Sequence, residues 1–340
     1  MALNVVIACN LKKGILSGPP DAEAEFDDPD TALAIKEALE SAGCLVEIVE
    51  AEEDFPGRIA AHRPDIVFNI AEGRTGRGRE AQVPAILNFL NVPFVGSDET
   101  AMCLAMDKAL TKRVLSSWGI DTPKYTLFEK DAPLSDERLL NPYDLSGAGF
   151  LDWPLIVKPN AEGSGKGISG ASVVANVADL KGAVYEIADV YGQDALIEEF
   201  IPGREFTVGL LGNGEGTRVF PPMEILFRDP DRSVYSYEIK KDFKQHVGYA
   251  CPPDVGPEIR AGMEDTARKI YRVLGCRDFA RIDFRLSPGG RLYFIEINPL
   301  PGLAPGYSDY PMLAEFCGMD YASLIAGVLK SALARYELDS

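Results

Sequence analysis

Asp283, Glu296 and Asn298 are oxygen-bearing side chains near Arg281, and their spacing is what matters. They lie in Phe279–Asn298, two alternating runs joined by Ser287-Pro288-Gly289-Gly290, a hairpin signature. Side chains in a strand alternate faces. Ala280, Ile282 and Phe284 therefore share one face of the first strand, and Arg281, Asp283 and Arg285 the other. On the second strand the alternation groups Tyr293, Ile295 and Ile297 against Leu292, Phe294, Glu296 and Asn298. Closing on Gly-Gly sets Asp283 opposite Glu296 and Arg281 opposite Asn298. Closing on Pro-Gly slips the pairing by two and keeps the faces. Two facing carboxylates repel unless a cation lies between them. Asp, Glu and Asn oxygens suit Mg²⁺, which pairs carboxylates with substrate phosphates. The Arg281 fork suits an oxyanion or phosphate. A surface hairpin with cross-strand ion pairs to Arg285 or Arg291 is the plainer alternative. Asn298-Pro-Leu-Pro-Gly302 then leaves the strand as a rigid loop able to present N–H groups.

Other residues extend that chemistry. Glu162-Gly-Ser-Gly-Lys-Gly167 is a small-residue loop whose backbone could approach phosphates, though it is not a P-loop. Lys158 ends an apolar run and must find an anion or water. Lys112 lies on a predicted helix, where a solvated lysine is the ordinary outcome. Glu198 and Glu199 occupy opposite faces of a short strand, so only one can face a cleft, and Glu205 starts the next strand. Lys240 and Lys241 sit in a long polar segment, 228–257, that could close as a lid.

Short strands alternating with helices must position these groups. Asn4–Cys9, Leu45–Val49 and Ile66–Ile70 read as strands, with helices over Asp30–Ala42 and Arg79–Leu90: a parallel α/β domain. A helix follows over Thr100–Trp118, then a Pro- and Asp-rich loop over Glu129–Pro154 and a helix over Asp179–Tyr191. We expect three domains: 1–98, 99–195, and 196–335 with the metal site and lid.

The chain of 340 residues has a net charge of −18, which argues against nonspecific nucleic-acid binding and against anionic membranes. No apolar run approaches the ~20 residues that span a bilayer. Six scattered cysteines, with no CxxC, favour a reducing cytosol and argue against zinc; each is expected to be a small buried residue. His62 and His246 are far apart and beside no evident nucleophile.

The order of motifs resembles the ATP-grasp carboxylate–amine ligases, most closely the D-alanine–D-alanine ligase family. The matching pieces span nearly the whole chain: Phe94-Val-Gly-Ser-Asp98, Met106-Asp-Lys-Ala-Leu-Thr-Lys112, Ile156-Val-Lys-Pro159, Glu162-Gly-Ser164, Leu196-Ile-Glu-Glu199, Gly203-Arg-Glu-Phe-Thr-Val208, Arg281-Ile-Asp283 and Glu296-Ile-Asn-Pro-Leu-Pro-Gly302. The resemblance implies an α/β ATP-grasp fold of three domains. It implies an enzyme that phosphorylates one carboxylate with ATP, then couples the acyl phosphate to an amine. Lys112, Lys158 and Glu162 would bind ATP, Glu198 and Glu205 adenine and ribose, and Phe200 and Ile201 would line the adenine slot. Asp283, Glu296 and Asn298 would hold two Mg²⁺, for which Mn²⁺ could substitute. Arg281 and the Gly302 N–H would stabilise the tetrahedral intermediate, Lys240 would meet the γ-phosphate, and Ser164 would hold the first amino acid near ATP. A cytoplasmic homodimer acting on small acids and amines is the expected setting.

The chain also departs from that family. Glu72 replaces a histidine, and the loop after it carries extra arginines, including Arg77. Lys241 replaces the tyrosine after the lid lysine, and Glu25 or Asp28 stands where a glutamate grips the first alanine. The segment Leu303–Tyr310, with Tyr307, differs where a second carboxylate binds. A pair of substrates other than two D-alanines follows as the expectation. The alternatives are a D-alanine–D-alanine ligase of cell-wall synthesis, a phosphotransferase, and a non-catalytic nucleotide-binding protein.

Overall fold

The computed structural model describes residues 2–14, 19, 21–131, 150–229, 234 and 236–338. Three sheets follow one another along the chain. The first contains β1 (Asn4–Cys9), β2 (Leu45–Glu50), β3 (Ile66–Asn69) and β4 (Phe94–Val95), parallel and in the order β2-β1-β3-β4. β1, β3 and β4 are buried on both faces, as parallel strands covered by helices must be, while the edge strand β2 leaves Leu45 and Glu47 exposed. The helix Pro29–Ser41 packs on one side with the last helix, Tyr321–Arg335, which returns from the far end of the chain.

The second sheet is antiparallel: β5 (Tyr125–Phe128), β6 (Leu155–Pro159), β7 (Val173–Val174) and β8 (Ala195–Glu199), in the order β5-β8-β6-β7. Because β8 is interior to this sheet, a boundary at 195/196 would cut through a hydrogen-bonded strand. The third sheet holds β9 (Arg204–Leu211), β10 (Arg218–Val219), β11 (Met223–Phe227), β12 (Val247–Ala250), β13 (Phe279–Leu286) and β14 (Leu292–Asn298). Its order is β12-β11-β9-β13-β14, with β10 on β9. The amphipathic helix Pro257–Val273 covers one face through Met263, Ala267 and Ile270.

The predicted single helix over Thr100–Trp118 is two helices, Glu99–Met106 and Lys108–Ser117. Asp107 has an extended ψ of 96° and its carboxylate caps the second helix by accepting from Leu110 N at 2.9 Å. Asn160 holds the break, accepting from Lys108 N at 3.0 Å and donating to Asp107 Oδ1 at 2.9 Å. Hydrophobic periodicity continues across such a break, which is why the sequence hides it. The helix predicted over Asp179–Tyr191 is α-helical over Val177–Glu186 and widens to a π-turn over Ile187–Tyr191. The polar segment 228–257 contains the short helices Tyr237–Lys241 and Phe243–His246 as well as β12. The loop predicted over Glu129–Pro154 lies mostly outside the described residues. Cys9 and Cys276 are buried as expected, but Cys44, Cys251 and Cys317 are half-buried and Cys103 is exposed, contrary to the expectation for every cysteine. No single helix among the described residues is long and apolar enough to cross a membrane.

Candidate active site

The hairpin β13–β14 brings its polar residues together by an unexpected route. Near the turn, Leu286 pairs with Leu292 and Phe284 with Phe294, around a loop closed by Ser287 N donating to Arg291 O at 2.9 Å. Continued unchanged, that register would turn Glu296 to the wrong face. A bulge at Ile295 adds one residue to β14 and restores Asp283 opposite Glu296 and Arg281 opposite Asn298. The strict alternation expected of β14 is therefore broken. Phe294 joins Ile297, Ile282 and Phe284 in the apolar core, while Glu296 stays with Asp283.

On the polar face, Arg281 donates from Nε and Nη2 to the two oxygens of Asp283 at 3.0 and 2.9 Å, and Thr207 Oγ1 donates to Oδ1 at 2.7 Å. Burial pushes the Asp283 carboxyl up, but Arg281 outweighs it and holds the group below the usual carboxylate range. With its amide nitrogen towards Glu296, Asn298 donates to Oε1 at 3.2 Å and accepts from Arg281 at 3.0 Å. The all-oxygen set of Asp283, Glu296 and Asn298 thus fits a hard divalent cation.

Lys112 and Lys158 converge on one carboxylate. Lys112 Nζ lies 2.5 Å from Glu198 Oε1 and Lys158 Nζ lies 2.6 Å from Oε2, all three side chains being buried. The solvated reading of Lys112 is overturned, because the break at Asp107 starts a new helix that faces this sheet. Burial pushes Lys112 down to about 8 against the opposing pull of Glu198. Burial raises Glu198, but the two lysines more than reverse it and keep its carboxyl below the usual range. Glu198 thus sits between two buried lysines, and its carboxylate oxygens keep further lone pairs. Glu199 points the other way, to Lys124 at 3.0 Å. Glu205 accepts from Arg285 at 2.8 Å, and burial raises its carboxyl. Arg285 also donates to the Ile201 carbonyl at 2.7 Å and stacks 4.9 Å from the Phe200 ring centre. Phe200, Ile201 and Glu205 are thus assembled around one guanidinium.

Beside the hairpin lies a cavity of about 600 Å³. Arg281, Glu296, Asn298, the Gly302 loop, Ser164 and Lys240 line it. Ser164 holds a left-handed φ of 53°, which turns the small-residue loop inward. Two of that loop's N–H groups are engaged by the N-terminal segment, Gly163 by Glu25 at 2.6 Å and Gly167 by Asp21 at 2.8 Å. Glu162 accepts from Arg79 at 2.8 Å and pairs with Lys166 at 3.0 Å, so its carboxylate organises the loop. Arg79 also donates to Glu25 at 2.5 Å. Glu72, Lys241 and Tyr307 line the cavity. Arg77 does not line it: its side chain is 79% exposed and reaches Asp107 at 3.6 Å.

The model for the family "D-ala D-ala ligase C-terminus" matches residues 114–330. The D-alanine–D-alanine ligase of Bordetella pertussis is 35% identical over 324 residues, covering 95% of this chain and 96% of that one. The chain belongs to the D-alanine–D-alanine ligase family. A relative of the same name from Aquifex aeolicus is 32% identical over 315 residues, covering 93% of this chain and 98% of that one. The crystal structure of D-alanine–D-alanine ligase from Bacillus anthracis complexed with ATP superposes with a TM-score of 0.75, 19% identity and 99% coverage of both chains. That likeness shows the fold, the ATP-grasp architecture expected above, and this D-alanine–D-alanine ligase-like chain is an ATP-dependent ligase.

Several members of this ligase's site escape a reading of the sequence. Lys108 is buried, donates to the Glu162 carbonyl and lies 3.9 Å from Glu296 Oε2. Its place directly after Asp107 was a usable signal only once the helix break was known. Asp309 is buried 3.9 Å from Arg281 Nη1, and Tyr249 donates to it at 3.2 Å. Arg79 and Glu80 carry no local pattern that separates them from the exposed arginines around them.

Proposed function

We propose that the protein joins a small carboxylic acid, in the form of an amino acid, to an amine through an acyl phosphate, on a substrate pair other than two D-alanines. The convergence of Arg281, Asp283, Glu296 and Asn298 on the edge of a cavity that also holds Ser164 and Lys240 carries this reading. Lys112 and Lys158 hold the ATP phosphates, with Glu198 fixing both lysines. Phe200 and Ile201 line the adenine slot, and Glu205 takes the ribose. Asp283, Glu296 and Asn298 would hold two Mg²⁺, or Mn²⁺ in their place, which neutralise the phosphates when bound.

A carboxylate oxygen of the acid, oriented by Ser164, attacks the γ-phosphorus and ADP leaves. Lys240 approaches the transferring phosphoryl group as the polar segment closes and shuts out water. The amine then adds to the acyl carbon. Arg281 and the Gly302 N–H stabilise the oxyanion. The bond to the phosphate oxygen breaks, phosphate departs with the acid's oxygen, and the nitrogen loses a proton. A cytoplasmic homodimer is the setting that family resemblance supports. The departures at Glu72, Lys241 and Tyr307 fall in the cavity wall, while the hairpin quartet keeps the family's residues. This contrast supports a changed substrate pair.

Screening acids and amines for ADP release, with mass analysis of the product, tests the reading. An amide from a pair other than two D-alanines is expected. Selective turnover of D-alanine alone would favour the second reading, a D-alanine–D-alanine ligase, which the identity of 35% to a relative of that name supports. A phosphorylated acid without any requirement for amine would mark a phosphotransferase.

A further inference from the structure

The cavity carries more negative charge than an α-amino acid requires. Glu25, Glu72 and Glu80 each place a carboxylate oxygen within 4.8 Å of the others, and all three line the cavity. Glu25 is already engaged by Arg79 and by Gly163 N. Arg79 is spent on Glu25 and Glu162. Lys12 pairs with Asp28 at 2.9 Å, and Lys108, the nearer lysine, donates to the Glu162 carbonyl and lies 3.9 Å from Glu296. Glu72 and Glu80 are left with no hydrogen bond or ion pair among the described residues, and the Glu80 side chain is buried. Burial and the neighbouring carboxylates push Glu80 up to about 7 and hold Glu72 well above the usual carboxylate range. Buried carboxylates this close repel, and they become stable as ions only when a cation joins them.

The metal hairpin does not serve that need, because its Glu296 also raises Glu80 and so adds negative charge rather than a counter-ion. An ammonium offers three donors and a guanidinium five, enough to bridge two carboxylates. The same cavity is continuous with Ser164 and Arg281, so a group seated on the acidic cluster belongs to a molecule that reaches the reaction centre. One α-ammonium shared between Glu72 and Glu80 brings a single positive charge to two carboxylates, so one negative charge stays uncompensated.

We propose that Glu72 and Glu80, with Glu25 beside them, bind a second cationic group on the acid substrate, which is therefore a diamino or guanidino acid. This rests on the ligase reading above, and the binding measurement below separates the two. Calorimetric titration with a non-hydrolysable ATP analogue and Mg²⁺ compares 2,3-diaminopropionate, ornithine and arginine with alanine, each in both enantiomers. At least one dibasic acid binds about 10- to 100-fold more tightly than alanine, the range of one or two charge-assisted hydrogen bonds. Glu72→Gln and Glu80→Gln each shrink that ratio by roughly tenfold, the effect of one lost charged partner. Alanine binding as tightly as every dibasic acid overturns the proposal, as does a ratio that neither variant changes. Tight binding of Mn²⁺ or Ca²⁺ without nucleotide, abolished by Glu80→Gln, would assign the cluster to a metal and overturn it too. Selective binding of a dibasic acid with no amide from any amine would leave this inference standing and remove the ligase reading instead.

Discussion

Lys112 and Glu198 form a buried ion pair at 2.5 Å, with a second ammonium, Lys158, on the carboxylate's other oxygen. Two lysines held by one acid leave a net positive charge inside the protein. That is a poor arrangement for an isolated core and a good one for a site awaiting phosphates.

The pair predicts a pH limit on nucleotide use. Lys112 is pushed by burial to about 8, below the ordinary lysine value of 10.5. In the free enzyme its charge disappears as pH rises through about 8, so kcat/KM for ATP falls there. The unfolded chain still holds this proton between 8 and 10.5, so the lysine's contribution to stability rises with pH across that window. Activity should therefore decline while the protein stays folded. Lys112→Arg, which keeps its charge, moves the alkaline limb upward in a pH–rate profile recorded alongside thermal unfolding; an unmoved limb would remove Lys112 from this role.

Arg281 makes both oxygens of Asp283 its partners and faces the cavity. Arg281→Lys retains one charge for Asp283 but loses the fork. The variant is expected to lower kcat by the ~10²–10³-fold typical of a lost oxyanion donor, with KM for ATP little changed. Steady-state kinetics with both substrates varied checks this. A rise in KM for ATP with kcat intact would place Arg281 in nucleotide binding.

Asp283 and Glu296 face each other across the hairpin, two carboxylates whose repulsion a cation would relieve. Glu296→Gln should raise the Mg²⁺ concentration for half-maximal activity by about 10- to 100-fold, the scale seen for disturbed metal sites. A Mg²⁺ titration at saturating ATP measures it. An unchanged midpoint would place the metal elsewhere.

Asp278 ties the ends of the molecule together. It is fully buried, at a left-handed φ of 64°, and accepts from Gly96 N at 2.8 Å, Asn213 Nδ2 at 2.7 Å and Arg335 Nη2 at 2.7 Å. Asp278→Ala removes the acceptor of Gly96 N, Asn213 and Arg335, which keeps the Phe94 and Gly96 carbonyls, and should cost about 1–3 kcal/mol. Denaturant unfolding reads the loss; a change below 1 kcal/mol would mean that Arg335 finds water instead.

The alternating strands and the hairpin's polar residues were legible because period-two burial and a Pro-Gly-Gly turn leave direct marks on a sequence. The bulge at Ile295 was not, since nothing in Tyr-Phe-Ile-Glu distinguishes a bulged strand from a regular one. It nonetheless decides that Phe294 packs inward. The break at Asp107 was equally silent, because Asn160, 53 residues away, is what holds it. Lys108 and Glu198 found their partners through that break. The Glu25, Glu72 and Glu80 cluster depends on three separate loops converging, which spacing along the chain does not encode.

Transfer of oxygen tests the ligase account most directly. The acid substrate is labelled with ¹⁸O in its carboxylate and turned over with ATP and amine, and the released phosphate is analysed by mass. An acyl phosphate carries one labelled oxygen into phosphate for each amide formed, and that is the result expected. Phosphate free of label, with ADP still produced, would contradict the mechanism built on Arg281, Asp283 and Glu296.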